Sequence, residues 1–212
     1  MAVSVALNHR TTYHYDRLIN LAPHVIRLRP APHSRTPIKS YSLRIEPEEH
    51  FLNWQQDAYA NWSARLVFPK PTRLFSVTVD LVADMVAINP FDFFLEEACE
   101  EVPFRYAPDQ LKDLRPYLRK LSRGKAFTDF AAATPVQTGR TIDWLVALNG
   151  FVASQIDYTI RLEPGVQSPT VTIQKALGSC RDSAWLLVAL LREFGYAARF
   201  VSGYLIQMKA DV

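Results

Sequence analysis

The residue with the clearest chemical potential is Cys180, because it lies at the predicted start of a helix. Ser179 precedes it, and Asp182 follows three residues after Ser179, which is the spacing of a helix-capping box. In such a box we expect the Ser179 hydroxyl to accept a hydrogen bond from the amide of Asp182. Gly195 is suited to the left-handed conformation that ends helices, so the sequence predicts a helix over about residues 180–194.

A cysteine at the first position of a helix is well placed for nucleophilic chemistry. Unpaired backbone amides and the positive end of the helix dipole stabilise the thiolate, which is the nucleophilic form of the side chain. The same amides could hold an oxyanion. The alternative is an inert buried thiol, since free cysteines are among the most buried residues. The small residues Gly178 and Ser179 ahead of Cys180, together with its terminal position, favour the nucleophile.

The helix that begins at Cys180 is predicted to be buried between other elements. Every residue from Ala184 to Leu191 is apolar, so apolar side chains cover all of its sides. A second helix, expected at about residues 139–157 with Thr138 or Thr141 as its cap, is predicted to pack against it. The predicted packing face of that second helix consists of Ile142, Leu145, Val146, Val152 and Ile156.

A longer pattern surrounds the cysteine. It consists of Gly178-Ser179-Cys180-Arg181-Asp182, the apolar helix, and a predicted strand, Ala198-Arg199-Phe200-Val201-Ser202-Gly203-Tyr204. This pattern resembles the nucleophile segment of the bacterial transglutaminase-like superfamily, a branch of the papain-like thiol enzymes. Gly165-Val166-Gln167-Ser168-Pro169 resembles the turn that leads into that segment. The resemblance covers roughly residues 140–206.

The resemblance implies an α+β fold in two domains. Residues 1–95 resemble, more weakly, the β-rich N-terminal domain that accompanies the catalytic domain in bacterial members. Residues 96–212 are expected to form a partial papain-like or transglutaminase-like α+β domain that holds only its helical, nucleophile-bearing part. The alternation of apolar and polar residues independently predicts an antiparallel β-sandwich in the first domain, with strands at Val3 to Tyr15, 25–29, 41–45, 61–68 and 74–82.

The chemistry that the resemblance implies is acyl transfer. Cys180 would attack a carboxamide or peptide carbonyl and form a thioester, which water resolves in a peptidase or amidase and an amine resolves in a transglutaminase. The expected partner is therefore a peptide or protein amide substrate. Ser179, Arg181, Asp182 and Tyr204 are the candidates for binding substrate or supporting the site. The simpler interpretations are a cap and dipole partner for Asp182, a solvated or ion-paired Arg181, and a packed Tyr204.

One feature departs from the family pattern. In the family a histidine and then an aspartate follow the nucleophile, whereas the five histidines here, His9, His14, His24, His33 and His50, all precede Cys180. We favour truncation of a longer protein over loss of the base, and we expect this chain alone to be inactive or nearly so. The alternative function is a non-catalytic protein-interaction module with a degenerate papain-like domain. An open sheet edge after Leu205 would also invite self-association.

Composition narrows the other classes of function. The 24 basic and 21 acidic residues give a net charge of +3, which is too balanced to indicate nucleic-acid binding. The basic stretch from Lys112 to Lys125 favours a solvated helix face, because no aromatic platform interrupts it. The histidine spacing does not fit a metal site, and no glycine-rich phosphate loop is present. We expect no cofactor, no metal and no nucleic-acid partner.

The hydropathy, the first residues and the number of cysteines indicate where the protein is located. No apolar run is long enough for a membrane span, and the first residues lack the features of a signal peptide, so no membrane partner is expected. Two widely separated cysteines give no disulfide framework, which favours a reducing, cytoplasmic setting. Cys99 is predicted to be structural, because four flanking glutamates raise the pKa of a thiol, namely Glu96, Glu97, Glu100 and Glu101.

Overall fold

The chain divides into two compact units, residues 1–92 and residues 93–212. A computed structural model describes residues 3–86 and 89–206. Strands dominate the described part of the first unit, and helices dominate that of the second. The predicted α+β fold class is therefore confirmed.

The first unit consists of two antiparallel sheets packed face to face. Its strands in chain order are β1 (Val3–Ile19), β2 (His24–Ile26), β3 (Ile38–Glu46), β4 (Phe51–Gln56), β5 (Trp62–Val67) and β6 (Thr72–Met85). The first sheet has the order β1-β6-β3 and the second the order β2-β5-β4. Ile45 and Phe75 from one sheet share a buried cluster with Leu66 from the other, so the two sheets form the predicted sandwich.

The central strand β6 shows why this sequence forms a sheet. Every second residue along it is buried in the core, because side chains of a strand alternate between its two faces: Phe75, Val77, Val79, Leu81 and Ala83. Its two neighbours pair with it in antiparallel register, with Leu7 and Tyr41 both opposite Leu81. The β4 strand was not predicted, because Phe51 and its neighbours lack a clear apolar alternation and are largely exposed.

The second unit is a helical assembly with one short parallel strand pair. After a single 3-10 turn at Glu97–Cys99 come α1 (Pro108–Leu118), α2 (Lys125–Ala132), α3 (Thr141–Gln155), β7 (Asp157–Tyr158), α4 (Pro169–Lys175), β8 (Leu177–Gly178) and α5 (Cys180–Glu193). β7 and β8 pair in parallel, which brings the approach to α5 beside the end of α3. None of the described helices is both long and apolar enough to cross a membrane.

Helix α3 packs against α5, as predicted, through a face that overlaps the predicted one in part. Trp144, Leu148 and Val152 of α3 lie in one buried cluster with Leu186 and Leu190 of α5. These α3 residues are four apart, so they lie on one side of the helix. Two of the five predicted residues, Val152 and Ile156, belong to this buried cluster, so the prediction of the face is correct in part.

Two other predicted features of α3 are wrong, namely the burial of Val146 and the identity of the helix cap. Val146, which we expected in the packing face, is 54% exposed. The predicted cap is also wrong, because Arg140 holds the cap position without a side-chain hydrogen bond. Thr141 is instead the first helical residue, and its hydroxyl donates to the carbonyl of Cys99 at 2.6 Å. That bond ties the helix start to the preceding turn.

Helix α5 is buried mainly on one side, which corrects the expectation of burial all round. Its buried residues are Asp182, Leu186, Val188, Ala189, Leu190 and Arg192. Ala184 is exposed, and Trp185 and Leu187 are only partly buried. The apolar run therefore faces the core on one side and is incompletely covered on the other.

The strand predicted at Ala198–Tyr204 is absent, because residues 196–206 have no regular secondary structure. The backbone of Ala198 is instead bonded to helical residues: its amide donates to the Tyr117 carbonyl at 3.1 Å, and its carbonyl accepts from the Arg192 guanidinium at 2.7 and 2.9 Å. A strand also requires an adjacent strand, and none pairs with this segment within the described part of the chain. Self-association remains a prediction without this edge to support it.

Candidate active site

Cys180 is the first residue of α5 and is exposed to solvent. The observed helix, Cys180–Glu193, confirms the predicted start and ends one residue before the predicted end. Gly195 adopts a φ of 89° just beyond the helix, which is the left-handed conformation expected of a glycine at that position. An exposed thiol at a helix N-terminus does not fit the alternative of an inert buried cysteine, whereas its role as a nucleophile stays a prediction.

Asp182 is fully buried in the first turn of α5, and several donors surround its carboxylate. The Ser179 amide donates to Oδ2 at 2.9 Å and the Ser179 hydroxyl donates to the same oxygen at 2.7 Å. The Gln167 amide donates to Oδ1 at 2.7 Å. The carboxylate therefore connects the residue before Cys180 to the turn that begins at Gly165.

Arg161 completes this set of donors with a two-pronged ion pair. Its Nε lies 2.9 Å from Oδ2 of Asp182, and its Nη2 lies 3.1 Å from Oδ1. Nη2 also donates to the Gly165 carbonyl at 2.6 Å. Only 14% of the Arg161 side chain is exposed, and none of the Asp182 side chain is. Paired hydrogen bonds of this geometry fix orientation as well as charge.

These contacts determine the ionisation of Asp182. Burial by itself raises the pKa of a carboxyl group, but the hydrogen bonds from Arg161, Gln167 and Ser179 outweigh it and hold the pKa of Asp182 well below its usual range. The hydrogen bond to Asp182 in turn raises the pKa of Arg161, and the charge of Asp182 adds to this rise. Both groups are therefore charged at neutral pH.

The capping contact at Ser179 differs in part from the prediction. The amide of Asp182 donates to the Ser179 carbonyl at 2.9 Å, whereas we expected it to donate to the hydroxyl. The hydroxyl instead donates to the Asp182 carboxylate. The reciprocal half of a capping box, in which the side chain of Asp182 accepts from the Ser179 amide, is present. The buried negative charge explains the change, because it attracts the hydroxyl proton.

Gly178 allows the chain to approach α5 closely. A Cβ atom at this position would lie 3.1 Å from the Asp182 Cβ and 3.3 Å from the Thr172 Cγ2. Thr172 is fully buried and belongs to α4, so neither neighbour can withdraw easily. The Gly178 carbonyl also accepts from the Thr159 amide at 3.0 Å. The packing therefore leaves little room for a side chain at the position ahead of Ser179.

The two other predicted site residues contact the protein itself. Nη2 of Arg181 donates to the Arg161 carbonyl at 3.0 Å and to the Glu163 carbonyl, so this side chain holds the backbone of the preceding turn. The Tyr204 hydroxyl is buried, and its burial raises the pKa of Tyr204. The buried Tyr204 agrees with its simpler interpretation, whereas the guanidinium of Arg181 bonds backbone carbonyls, which differs from the expected solvated or ion-paired state. A role near substrate stays a prediction for both.

An open groove of about 660 Å³ lies beside this turn. It is lined by residues 159–163 together with Gln167, Lys175 and Leu177. Ile160 and Leu162 are 77% and 90% exposed, so its wall is partly apolar. Leu177 lies three residues before Cys180 in the chain, which places one end of the groove near the approach to α5.

Cys99 differs from Cys180 in its environment, and the histidines belong to the other unit. Burial raises the pKa of the Cys99 thiol and the charge of Glu96 adds to the rise, which confirms the predicted direction with burial as the larger cause. All five histidines belong to residues 9–50, so the unit that carries Cys180 contains none. Within residues 3–86 and 89–206, no cluster of three or more His, Cys, Asp or Glu side chains could hold a metal ion.

Comparisons with protein families agree with this arrangement. Residues 5–84 match the bacterial transglutaminase-like N-terminal region. Residues 130–211, which include Arg161, Cys180 and Asp182, match the transglutaminase-like superfamily. The chain therefore matches the transglutaminase-like superfamily in its second unit and the N-terminal region of bacterial transglutaminase-like proteins in its first.

Individual relatives extend beyond this chain. It is 27% identical over 214 residues to uncharacterised proteins of Mycobacterium bovis and Mycobacterium tuberculosis, covering 94% of this chain and 65% of theirs. A crystal structure from Cytophaga hutchinsonii named "Putative Cysteine Protease" shares the fold, with a TM-score of 0.64 and 18% identity. That match covers 92% of this chain and 64% of the other. The chain thus spans somewhat less than two thirds of the length of these relatives.

Proposed function

We propose that Cys180 is the nucleophile of an acyl-transfer enzyme that acts on peptide or protein amides. Its thiolate attacks the carbonyl carbon, the carbon–sulfur bond forms, and the carbon–nitrogen bond breaks as the leaving nitrogen takes up a proton. The products of this half-reaction are a thioester on Cys180 and ammonia or an amine. Water then releases an acid, as in a peptidase or amidase, or a second amine forms a new amide, as in a transglutaminase.

The observation that carries the proposal is the exposed thiol at the first residue of α5. This placement gives the sulfur access to a substrate and to the positive end of the helix dipole. The match to the transglutaminase-like superfamily supports the same chemistry. The name of the Cytophaga structure, a cysteine protease, is a further reason to consider hydrolysis.

The proposal requires an imidazole beside Cys180 and a group that orients it. The unit that carries Cys180 contains no histidine, so the proposal places the base in sequence outside residues 1–212. The greater length of the relatives supports this part of the proposal. Residues 1–212 alone are accordingly expected to form little or no thioester.

The groove beside residues 159–163 is proposed to receive part of the substrate. Its exposed apolar side chains, Ile160 and Leu162, suit the apolar side chains of a peptide. Its charged lining residues are Arg161, whose charge is paired with Asp182, and Glu163 and Lys175, which carry one charge of each sign. This balance favours a neutral peptide segment over a strongly charged one.

Trapping the acyl-enzyme tests the proposal. Residues 1–212 and the longer protein are incubated with a peptide carboxamide, quenched in acid, and examined by mass spectrometry for an acyl group on Cys180. We expect the adduct in the longer protein and little or none in residues 1–212. The Cys180→Ser variants of both are the control for site, and the Cys99→Ser variants should behave like the parents.

The outcome separates the proposal from a non-catalytic interaction module. Equal and negligible labelling of Cys180 in both proteins would contradict catalysis and favour the module, for which the absence of a histidine from the second unit is the supporting observation. A reading frame that stops at Val212 would favour the module as well. Adding a primary amine to a reactive sample then distinguishes transfer to an amine from hydrolysis.

A further inference from the structure

We propose that Arg161 is a positioning residue for Cys180 and acts through Asp182. This inference rests on the proposed function, since it concerns the reactivity of the same thiol. Arg161 lies 21 residues before Asp182 in the chain and is outside the nucleophile motif. Its contacts nevertheless determine how the residues on either side of Cys180 are held.

Asp182 contacts the chain on both sides of the thiol. Its backbone follows Cys180 in the first turn of α5, while its carboxylate bonds both the amide and the hydroxyl of Ser179, directly before Cys180. The conformation of the Ser179-to-Asp182 segment, and with it the position of the sulfur, therefore depends on where this carboxylate is held. A small displacement of a reacting atom lowers reactivity strongly.

Arg161 is the positive charge that holds the carboxylate in place. Its two bonds, at 2.9 and 3.1 Å, use both oxygens of Asp182 and so fix the plane of the carboxylate. Without them a fully buried carboxylate would lack its countercharge, and it would take up a proton or draw in water. Either event would alter the bonds that it accepts from Ser179.

The backbone of Arg161 is fixed by the same helix turn. Arg181, the residue after Cys180, donates to the carbonyl of Arg161 at 3.0 Å. The Arg161 side chain thus holds Asp182, and the Arg181 side chain holds the backbone of Arg161. These two contacts between the segment and the helix make Arg161 part of the support of the first turn.

A direct role for Arg161 in binding substrate fits the contacts less well. Its Nε and Nη2 already donate to Asp182 and to the Gly165 carbonyl, and its Nη1 lies 3.6 Å from the Glu163 carboxylate. Its side chain is only 14% exposed. The donors of this guanidinium are directed at the protein, so we assign it to positioning.

The test measures the alkylation rate of Cys180 by iodoacetamide in the full chain between pH 6 and pH 9, with Cys99 resolved by peptide mass spectrometry. We expect Arg161→Met to slow alkylation of Cys180 by about tenfold or more at pH 7, and Arg161→Lys to recover part of the loss. Asp182→Asn should also slow it. The double variant should be no slower than Asp182→Asn alone, because Arg161 is proposed to act only through Asp182.

Arg192→Met is the matched control. Arg192 is another buried arginine and lies in the last turn of α5 itself, at the opposite end from Cys180, where it donates to the Ala198 and Arg119 carbonyls. Its loss should lower the stability of the fold while leaving the alkylation rate of Cys180 in the folded protein within about twofold of the parent. A general loss of stability is thereby separated from a specific effect on the thiol.

The experiment distinguishes failure of the positioning role of Arg161 from failure of the proposed function. If Arg161→Met is folded and its Cys180 alkylation matches the parent at every pH, the positioning role is overturned while the nucleophile survives. If Cys180 of the longer protein reacts no faster than it does after that protein is unfolded in urea, the proposed function is contradicted instead. Should Arg161→Met not fold, Arg161→Lys decides: a slower Cys180 supports positioning, and an unchanged rate overturns it.

Discussion

At the scale of residues, the site combines an exposed sulfur with a fully buried carboxylate two positions along the same helix turn. The exposed thiol is free to meet a substrate, whereas Asp182 contacts only protein groups among the described residues. Reactivity and structural support are therefore assigned to different side chains. Substitutions at Cys180 and at Asp182 should consequently have opposite signatures in assays of stability and of chemistry.

Asp182→Asn is expected to lower the free energy of unfolding by about 3 kcal/mol at pH 7, because it breaks a buried ion pair and leaves Arg161 without its countercharge. Urea unfolding of the variant and the parent measures this. Asp129→Asn is the matched control, since Asp129 forms an exposed pair with Lys125 and its loss should cost less than about 0.5 kcal/mol. Similar losses of unfolding free energy at both positions would contradict a larger contribution of the buried pair to stability.

The lowered pKa of Asp182 predicts a specific dependence of stability on pH. Its contribution is fully present above the unfolded pKa of about 4 and is lost as the pH falls through the lower folded value. The parent should therefore lose more stability than Asp182→Asn as the pH falls below about 4, so the difference between their free energies of unfolding should be smaller at pH 3 than at pH 5 and should shrink further below pH 3. Urea unfolding at pH 5 and at pH 3 measures this difference. If the difference in the free energy of unfolding between parent and variant stayed constant, Asp182 would not be the source of the pH dependence.

The local half of this site could be predicted from the sequence, and the distant half could not. Ser179, Cys180 and Asp182 are linked by the short-range geometry of a helix start, so their spacing was informative. Arg161 reaches Asp182 across 21 residues, and no local rule connects them. The only signal was a single charge within the apolar alternation of Ile160 and Leu162, which is compatible with many other structures.

At the scale of elements, the close approach of β8 to α5 and α4 brings the residues before Cys180 into place. Gly178→Ala is expected to lower the free energy of unfolding by about 1–3 kcal/mol, since the added Cβ would crowd Asp182 and Thr172. Thermal unfolding with a two-state fit measures the change. Gly150→Ala is the control, because no atom lies within 4 Å of an added Cβ there and α3 should tolerate or gain from alanine. An equal cost at both glycines would be inconsistent with the packing.

The contact between α3 and α5 yields a prediction that tests the corrected packing face. Leu148→Ala should lower the free energy of unfolding by about 2–5 kcal/mol, because Leu148 is fully buried against α5. Val146→Ala on the exposed side should cost less than about 1 kcal/mol. Chemical denaturation of the two variants decides, and a larger loss for Val146→Ala would restore the face expected from the sequence.

Sequence patterns predicted the existence of elements better than their partners. The start of α5 and the contact between α3 and α5 followed from capping and apolar content. The face of α3 was predicted only in part because apolar residues occur on several of its sides. The strand at Ala198–Tyr204 failed because its composition is β-like, whereas a strand forms only beside another strand. Tertiary pairing, which the local sequence does not encode, decided that segment.

At the scale of the whole molecule, the chain joins a β-sandwich unit to a unit that bears the thiol. The N-terminal region matches over residues 5–84 and the transglutaminase-like region over residues 130–211, so the two matches fall in different units. All histidines of the chain belong to the first. Under the proposed function, the nucleophile and its supporting residues belong to these 212 residues, and the base belongs to sequence outside them.

Competitive alkylation of the two cysteines in one native sample tests the central claim most directly. Cys180 is exposed at a helix N-terminus, while the pKa of Cys99 is raised by burial and by Glu96. We predict that iodoacetamide at pH 7 modifies Cys180 at least about tenfold faster than Cys99, and that urea removes the difference. Equal native rates, or a faster Cys99, would contradict an activated thiol at the start of α5.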